Sequence, residues 1–334
     1  MATMSLLRVA LVLAVALVLT ASFAAAEPAY KYSRSGNAED VKTKTTAGYA
    51  LMGGGTDQDA AFKFLCDKSG GGDFLILTAS SDQDYAEYNP YIQKLCKENS
   101  VATLSIPTAA AANDPFVAET IRRAEALFIT GGDQAKYVKY WKPSPMREAM
   151  QSLIDRGVPV GGTSAGLAIL GEFGFPALND SAYSEASLKD PFNGRVMIDR
   201  GFLAIPHLEN TITDTHFKKR DRLGRTLVFM ARILQDEMTK EVRGIGVDEK
   251  SAALLEADGS VTVAGVGSGV YFYRPTAPPQ TCAQETPLTF RGIDVYHVPT
   301  GGKFNLADWS GTGGNAYTLS VENGVIRSSA QAIY

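Results

Sequence analysis

Val158-Pro159-Val160-Gly161-Gly162-Thr163-Ser164-Ala165-Gly166-Leu167-Ala168-Ile169-Leu170 is the stretch that decides the fold. Its first four residues read as a short buried strand, its last four open a helical pattern, and Gly-Thr-Ser-Ala-Gly joins the two. A serine at so sharp a strand-to-helix turn needs glycines beside it, because a Cβ there would strike the neighbouring backbone. Such a turn pushes the Ser164 hydroxyl into a cleft and aims the amides of the nascent helix at negative charge. The competing reading is a tight glycine turn with an idle serine.

Working outward, apolar runs alternate with helical patterns. Tyr49–Met52, Phe74–Leu77, Val101–Ile106, Ala126–Ile129 and Val158–Gly161 read as strands, with helices at Asp57–Cys66, Tyr88–Lys97, Pro115–Arg123 and Pro145–Arg156 between them. The order predicts an α/β fold with a mostly parallel sheet and helices on both faces, whose ligands bind beyond the carboxyl ends of the strands. After Ile169 come a loop-rich stretch from Gly171 to Asp190, a short run at Arg195–Ile198, a helix over Asp221–Gln235, and hairpin-like runs at Gly244–Val247, Ala252–Leu255, Val261–Val266 and Gly269–Tyr273. The Pro-rich Arg274–Pro279 reads as a boundary. The expected division is a signal peptide over 1–26, a polar arm over 27–47, the α/β domain over 48–274 and a small β appendage over 275–334.

The signal peptide rests on Val9–Leu19, eleven apolar residues behind Arg8, and on the small-residue site Ala24-Ala25-Ala26. The apolar run is too short to span a membrane, so a secreted or periplasmic protein without a membrane span is expected. With 32 basic against 36 acidic residues in 334, nothing draws the chain to nucleic acid. Cys66, Cys96 and Cys282 allow at most one internal disulfide. Cys66 and Cys96 end the first two helices, which lie on opposite faces if the strand order reverses after the second strand, so that pair is disfavoured and core thiols are expected.

A nucleophilic serine needs a base, and the chain holds three histidines. His216, in the polar stretch Thr213-Asp214-Thr215-His216-Phe217 ahead of a helix, is favoured over His207 in an apolar run and His297 in the appendage. For the orienting carboxylate, Glu172, Asp180, Glu185, Asp190 and Glu209 remain open, with Asp214 less favoured so near the base. Gly131-Gly132-Asp133-Gln134 closes the strand Leu127–Thr130, and the Gly132 amide could form an oxyanion hole with that of Ala165. Gln134 could donate to substrate, and Asp133 could cap a helix. Arg220, Arg222 and Arg225 read either as carboxylate binders or as a surface salt-bridge face. Gly53-Gly54-Gly55-Thr56-Asp57 lacks the features of a phosphate loop and reads as a ligand-facing turn. No metal-ligand spacing is present, and neither a metal nor a cofactor is expected.

Taken in order, these motifs resemble the serine peptidases that include cyanophycinase and aspartyl dipeptidase, which share the class I glutamine amidotransferase-like fold. The likeness covers roughly Tyr49 to Tyr273: the Gly53–Gly55 turn, Gly131–Gln134, Gly162–Gly166, Asp214–Phe217 with Arg220, Arg222, Gly224 and Arg225, and Gly244-Ile245-Gly246-Val247-Asp248-Glu249. The resemblance implies Ser164 as nucleophile, His216 as base and Glu185, by position, as their carboxylate. It also implies oxyanion donors at Gly132 and Ala165, and a pocket lined by Gln134, Asp214, Arg220, Arg222 and Arg225. The chain departs from it at Thr215, where cyanophycinase reads Asp-Gln-His-Phe.

The function expected is hydrolysis of peptide or isopeptide bonds next to aspartyl residues through an acyl-enzyme. The partner expected is a peptide: aspartyl, β-aspartyl or cyanophycin itself. A homodimer is left open. A non-catalytic peptide-binding protein on the same fold and an amidase or esterase of small substrates are the alternatives. An amidotransferase is disfavoured because those enzymes place cysteine at the turn.

Overall fold

A computed structural model describes residues 29–81 and 85–334. The signal peptide lies outside these residues. In chain order the elements are β1 (Lys31–Gly36), β2 (Gly48–Met52), α1 (Asp59–Ser69), β3 (Asp73–Thr78), α2 (Tyr88–Leu95), β4 (Ser100–Ser105), α3 (Ala109–Ala112), α4 (Pro115–Arg122), β5 (Ala126–Ile129), α5 (Gln134–Lys136), α6 (Pro145–Asp155), β6 (Val160–Thr163), α7 (Ala165–Ala168), β7 (Phe173–Gly174), α8 (Ser184–Lys189), β8 (Asp199–Arg200), β9 (Thr211–Asp214) and α9 (Leu223–Gln235). The remainder is strand: β10 (Arg243–Val247), β11 (Ser251–Glu256), β12 (Ser260–Gly265), β13 (Val270–Pro275), β14 (Phe290–Val298), β15 (Lys303–Asn305), β16 (Ser310–Thr312), β17 (Asn315–Glu322) and β18 (Val325–Ser328).

Two sheets result. The first runs β1-β4-β3-β5-β6-β2-β11-β12-β15-β16, with its five strands from β4 to β2 parallel. The second runs β18-β17-β14-β13-β10-β9-β7-β8, parallel only where β9 meets β7 and β10. Helices cover both faces of the parallel strands, as expected. Period-two alternation divides the strand residues between the faces: Ala50, Met52, Phe74, Ile76 and Phe128 pack under α1 and α2, whereas Leu51, Leu75, Leu77, Leu127 and Ile129 pack against α4 and α6.

Two expectations are corrected. Cys66 and Cys96 form a disulfide, leaving Cys282 free and buried. The steps from β2 to β3 and from β3 to β4 both run the same way across the sheet, and only the step to β5 reverses. Right-handed crossovers therefore set α1 and α2 on one face, where their ends meet. The stretch over 27–47 is no bare arm, because β1 pairs antiparallel with β4 along its length and covers the edge of the parallel sheet. The small strand-rich C-terminal region expected beyond 275 is present, and its strands join the two sheets. β14 continues the second sheet beside β13, and β15 continues the first beside β12.

Candidate active site

Ser164 sits between β6 and α7 with φ 52° and ψ −115°, a backbone conformation rare for a residue with a side chain. Its amide donates to the Met52 carbonyl on β2 at 3.1 Å, which ties the turn to the neighbouring strand. The flanking glycines are required by space. A Cβ on Gly162 would lie 2.6 Å from the Gly166 carbonyl carbon, and one on Gly166 would lie 2.1 Å from the Ile129 oxygen.

His216 follows β9 in the second sheet. Its Nε2 lies 2.6 Å from the Ser164 Oγ, and its Nδ1 lies 2.6 Å from Oε1 of Glu249. Glu249 stands on the corner between β10 and β11, where the chain leaves the second sheet for the first. The glycine turn after β2 seats the imidazole. The Gly53 carbonyl accepts from the His216 amide at 2.7 Å, and a Cβ on Gly54 would lie 2.5 Å from the ring's Cε1. Gly54 also accepts from the Lys250 amide at 2.9 Å, so one turn fixes both the histidine and the corner that carries the glutamate.

With Glu249 on Nδ1, the proton of a neutral imidazole belongs there, and Nε2 is left as an acceptor for the serine hydroxyl. Burial pushes His216 below its ordinary value; the Glu249 hydrogen bond opposes this, and Arg220 and Arg222 reinforce it. The imidazole is therefore neutral and able to accept a proton around neutral pH.

Glu185 is not the carboxylate beside the histidine. It lies exposed on α8, its Oε1 2.6 Å from the Lys189 ammonium, which holds the carboxyl below its ordinary value. Glu172 binds Arg200 and the Asn210 amide, and Asp180 pairs with Arg195. Glu249 lies outside the interval between serine and histidine in which the sequence places the carboxylate, because it comes later in the chain. The available signal was its place at the end of Gly244–Glu249, a buried strand that stops at two acids. His207 bonds the Ala257 carbonyl and His297 the Ser268 carbonyl, so neither joins the site.

The second glycine turn lies beside the serine: a Cβ on Gly131 would come within 3.3 Å of the Ser164 Cβ. Tyr137 donates its hydroxyl to the carbonyls of Thr130 and Gly131, which fixes the turn from below. Gly132 has φ 133°, and among the described residues no acceptor takes the amide of Gly132 or of Ala165. Asp133 caps α5 by accepting from Ala135, and Gln134 reaches the Phe175 carbonyl at 3.4 Å.

Asp214 and Arg225 do not line an open pocket. Each is 2% exposed, and the guanidinium grips the carboxylate through two nitrogens while Thr226 donates to the same carboxylate. Burial alone would raise the Asp214 carboxyl, but Arg225, Arg222 and Thr226 hold it below its ordinary value. Arg222 turns back to the carbonyl and hydroxyl of Thr215. Of the three arginines, Arg220 alone is largely exposed, its Nε 3.7 Å from Glu249. The pair reads as structural: it braces α9 against β9, directly behind the histidine.

Ser164, His216 and Glu249 are thus joined in series beside a strand-to-helix turn on an α/β scaffold, an arrangement able to support attack by a serine hydroxyl. The chain belongs to peptidase family S51, whose family model matches residues 51–262. It is 29% identical over 196 residues to the cyanophycinase of Trichormus variabilis, covering 57% of this chain and 60% of that one. It is 28% identical over 225 residues to the cyanophycinase of Synechococcus elongatus, covering 65% of each. The match thus spans less than two thirds of either relative. A crystal structure of a peptidase from an acI-B1 actinobacterium superposes with a TM-score of 0.52 at 17% identity, covering 78% of this chain and 98% of that one, and so shares the fold. Among the described residues no helix is long and apolar enough to cross a membrane.

Proposed function

We propose that this protein is a serine peptidase that hydrolyses peptide or isopeptide bonds next to aspartyl residues. The observation that carries the reading is the unbroken series Ser164 Oγ, His216, Glu249, each link 2.6 Å. Ser164 Oγ attacks the scissile carbonyl carbon while His216 Nε2 takes its proton. The oxyanion of the tetrahedral intermediate accepts from the Gly132 and Ala165 amides. As the intermediate collapses, the imidazolium returns the proton to the leaving amine and an ester to Ser164 remains. A water, deprotonated by the same imidazole, then cleaves that ester, freeing the acid and the serine. Glu249 fixes the tautomer throughout. Gln134 and the exposed guanidinium of Arg220 are the groups proposed to meet the substrate, Arg220 suiting an aspartyl carboxylate.

The test is a panel of α-aspartyl, β-aspartyl and non-aspartyl peptides together with cyanophycin, read by product mass. Aspartyl substrates are expected to be cleaved, and Ser164→Ala to reduce turnover by at least about 10³-fold. Unchanged turnover in that variant would overturn the reading. We further propose export: the apolar segment ahead of Ala26 supports it, as does the Cys66–Cys96 disulfide, a bond that persists in oxidising compartments.

A further inference from the structure

The loop between β9 and α9 carries the proposed base at one end and a strained residue at the other. His216 has φ 47° and Asp221 φ 49°, left-handed values that residues with side chains rarely hold unless their surroundings impose them. The loop closes on itself: the Arg220 amide donates to the His216 carbonyl at 2.9 Å, and the Arg222 amide donates to the Phe217 carbonyl at 2.9 Å. A displacement at Asp221 is therefore passed to the histidine within a single turn.

What holds the far end of the loop comes from elsewhere in the chain. α9 starts at Leu223, and Leu223 and Arg225 are buried, so solvent does not serve the amides of its first turn. Arg222 stands at the N-cap but makes no capping bond, because its guanidinium has turned back to Thr215. Two hydroxyls from distant segments supply the acceptors. Ser184 on α8 accepts from the Arg225 amide at 3.2 Å and donates to the Asp221 carbonyl. Tyr334 accepts from the Leu223 amide at 3.0 Å and donates to Oδ1 of Asp221 at 2.9 Å.

Tyr334 also reaches the residue beside the histidine. Its ring packs edge-on against Phe217 and against Tyr271, with centroids 5.9 Å away in each case. Phe217 is fully buried over Gly246, where a Cβ would come 2.6 Å from its ring. The tyrosine is anchored in turn by β17: the Ser329 amide donates to the Thr318 carbonyl at 2.9 Å, and the Tyr317 hydroxyl donates to the Ile333 carbonyl at 3.2 Å. One side chain thus grips the loop at both ends, and it lies outside the matched residues 51–262.

We propose that Tyr334 is a positioning residue for catalysis: by capping α9 and pinning Asp221 and Phe217, it sets the His216 imidazole against the Ser164 hydroxyl. This rests on the peptidase reading above. Tyr334 bonds neither Ser164 nor His216 and acts only through the loop.

Three variants decide it. Tyr334→Phe keeps the ring and removes both hydrogen bonds, and Tyr334→Ala removes the ring as well. Val321→Ala is the control: it hollows β17 where that strand meets Phe290 and Ile326, away from the loop. Each is read by kcat and KM on the aspartyl peptide that the native chain cleaves best, by the urea midpoint, and by the rate at which diisopropyl fluorophosphate labels Ser164. In that labelling the Oγ–P bond forms, fluoride leaves and His216 takes the hydroxyl proton, so the rate reports the serine–histidine pair without a peptide. Tyr334→Phe is expected to lower kcat and the labelling rate by about tenfold, the scale of two lost hydrogen bonds, with KM within about twofold. Tyr334→Ala is expected to lower both by about a hundredfold, as a misplacement of about 1 Å does. Val321→Ala is expected to lower the urea midpoint further than Tyr334→Phe does, yet to keep kcat and labelling within about twofold. The proposal is overturned if Tyr334→Phe keeps both rates within about twofold, if its loss falls on KM alone, or if Val321→Ala loses activity to the same extent. Should Tyr334→Ala fail to fold, Tyr334→Phe and the control still decide. A native chain that neither cleaves the aspartyl panel nor labels at Ser164 would instead overturn the peptidase reading, and the positioning role with it.

Discussion

Glu249 reaches His216 from the corner where the chain crosses from one sheet to the other, its Oε1 2.6 Å from Nδ1, although the two lie 33 positions apart with the whole of α9 between them. The serine on the far side of the imidazole follows a strand of the first sheet and the histidine one of the second, so the proposed triad spans the junction between them.

Glu249→Gln should keep the geometry but present a donor where an acceptor is needed, favouring the wrong tautomer of His216. A fall of about 10²- to 10⁴-fold in kcat is expected from comparable changes in hydrolytic triads. Glu185→Gln, at an exposed position on α8, should stay within about twofold, since nothing couples it to the site. Steady-state kinetics of the two variants side by side would decide between the carboxylates.

The pH profile of kcat/KM should carry an acid limb belonging to His216. The imidazole works only when neutral, and its value lies below the ordinary 6.5, so activity should be half lost below pH 6.5 and fully present at neutrality. Glu249 is the influence that raises it. In Glu249→Gln the limb should therefore move to still lower pH; movement upward would contradict this electrostatic assignment.

Asp214 and Arg225 should behave as a buried structural pair. Removing one partner, as in Arg225→Met, leaves an uncompensated charge and is expected to cost about 3–5 kcal/mol of stability, visible as a lowered urea midpoint. Arg220→Met should instead raise KM for aspartyl peptides and leave the midpoint in place. A stable Arg225→Met protein with only a raised KM would restore Arg225 to the substrate pocket.

Glu98 and Glu125 lie at the opposite end of the parallel strands. Burial pushes each carboxyl from the ordinary 4.5 up to about 7, Ser69 opposing it at Glu98 and the Asp73 amide opposing it at Glu125. Because the folded state holds these protons more tightly than the unfolded chain, their contribution to stability is whole below pH 4.5 and fades as pH rises through about 7. Urea midpoints at pH 5 and pH 8 should fall across that interval, and the double variant Glu98→Gln, Glu125→Gln should flatten the decline.

The central sheet was legible because its strands carry unbroken apolar runs between helices, and because a serine framed by glycines announces its own turn. The histidine was legible by scarcity among three. The glutamate was not, since nothing in the sequence states that the corner after β10 folds back beneath the imidazole; that is a property of how the two sheets meet. The disulfide was misjudged for a topological reason: strand order is set by long-range pairing, and one displaced reversal moves a helix to the other face. The C-terminal strands were legible as strands, but their Gly-rich, short-run texture conceals which partners, such as β12 and β13, they join.

Divided between two sheets, the proposed triad would make the reaction a gauge of their docking. A slip of an ångström along the seam would part serine from imidazole while leaving each sheet's own ladder intact. Heat or denaturant strong enough to loosen that seam should therefore silence the protein before its strands begin to melt.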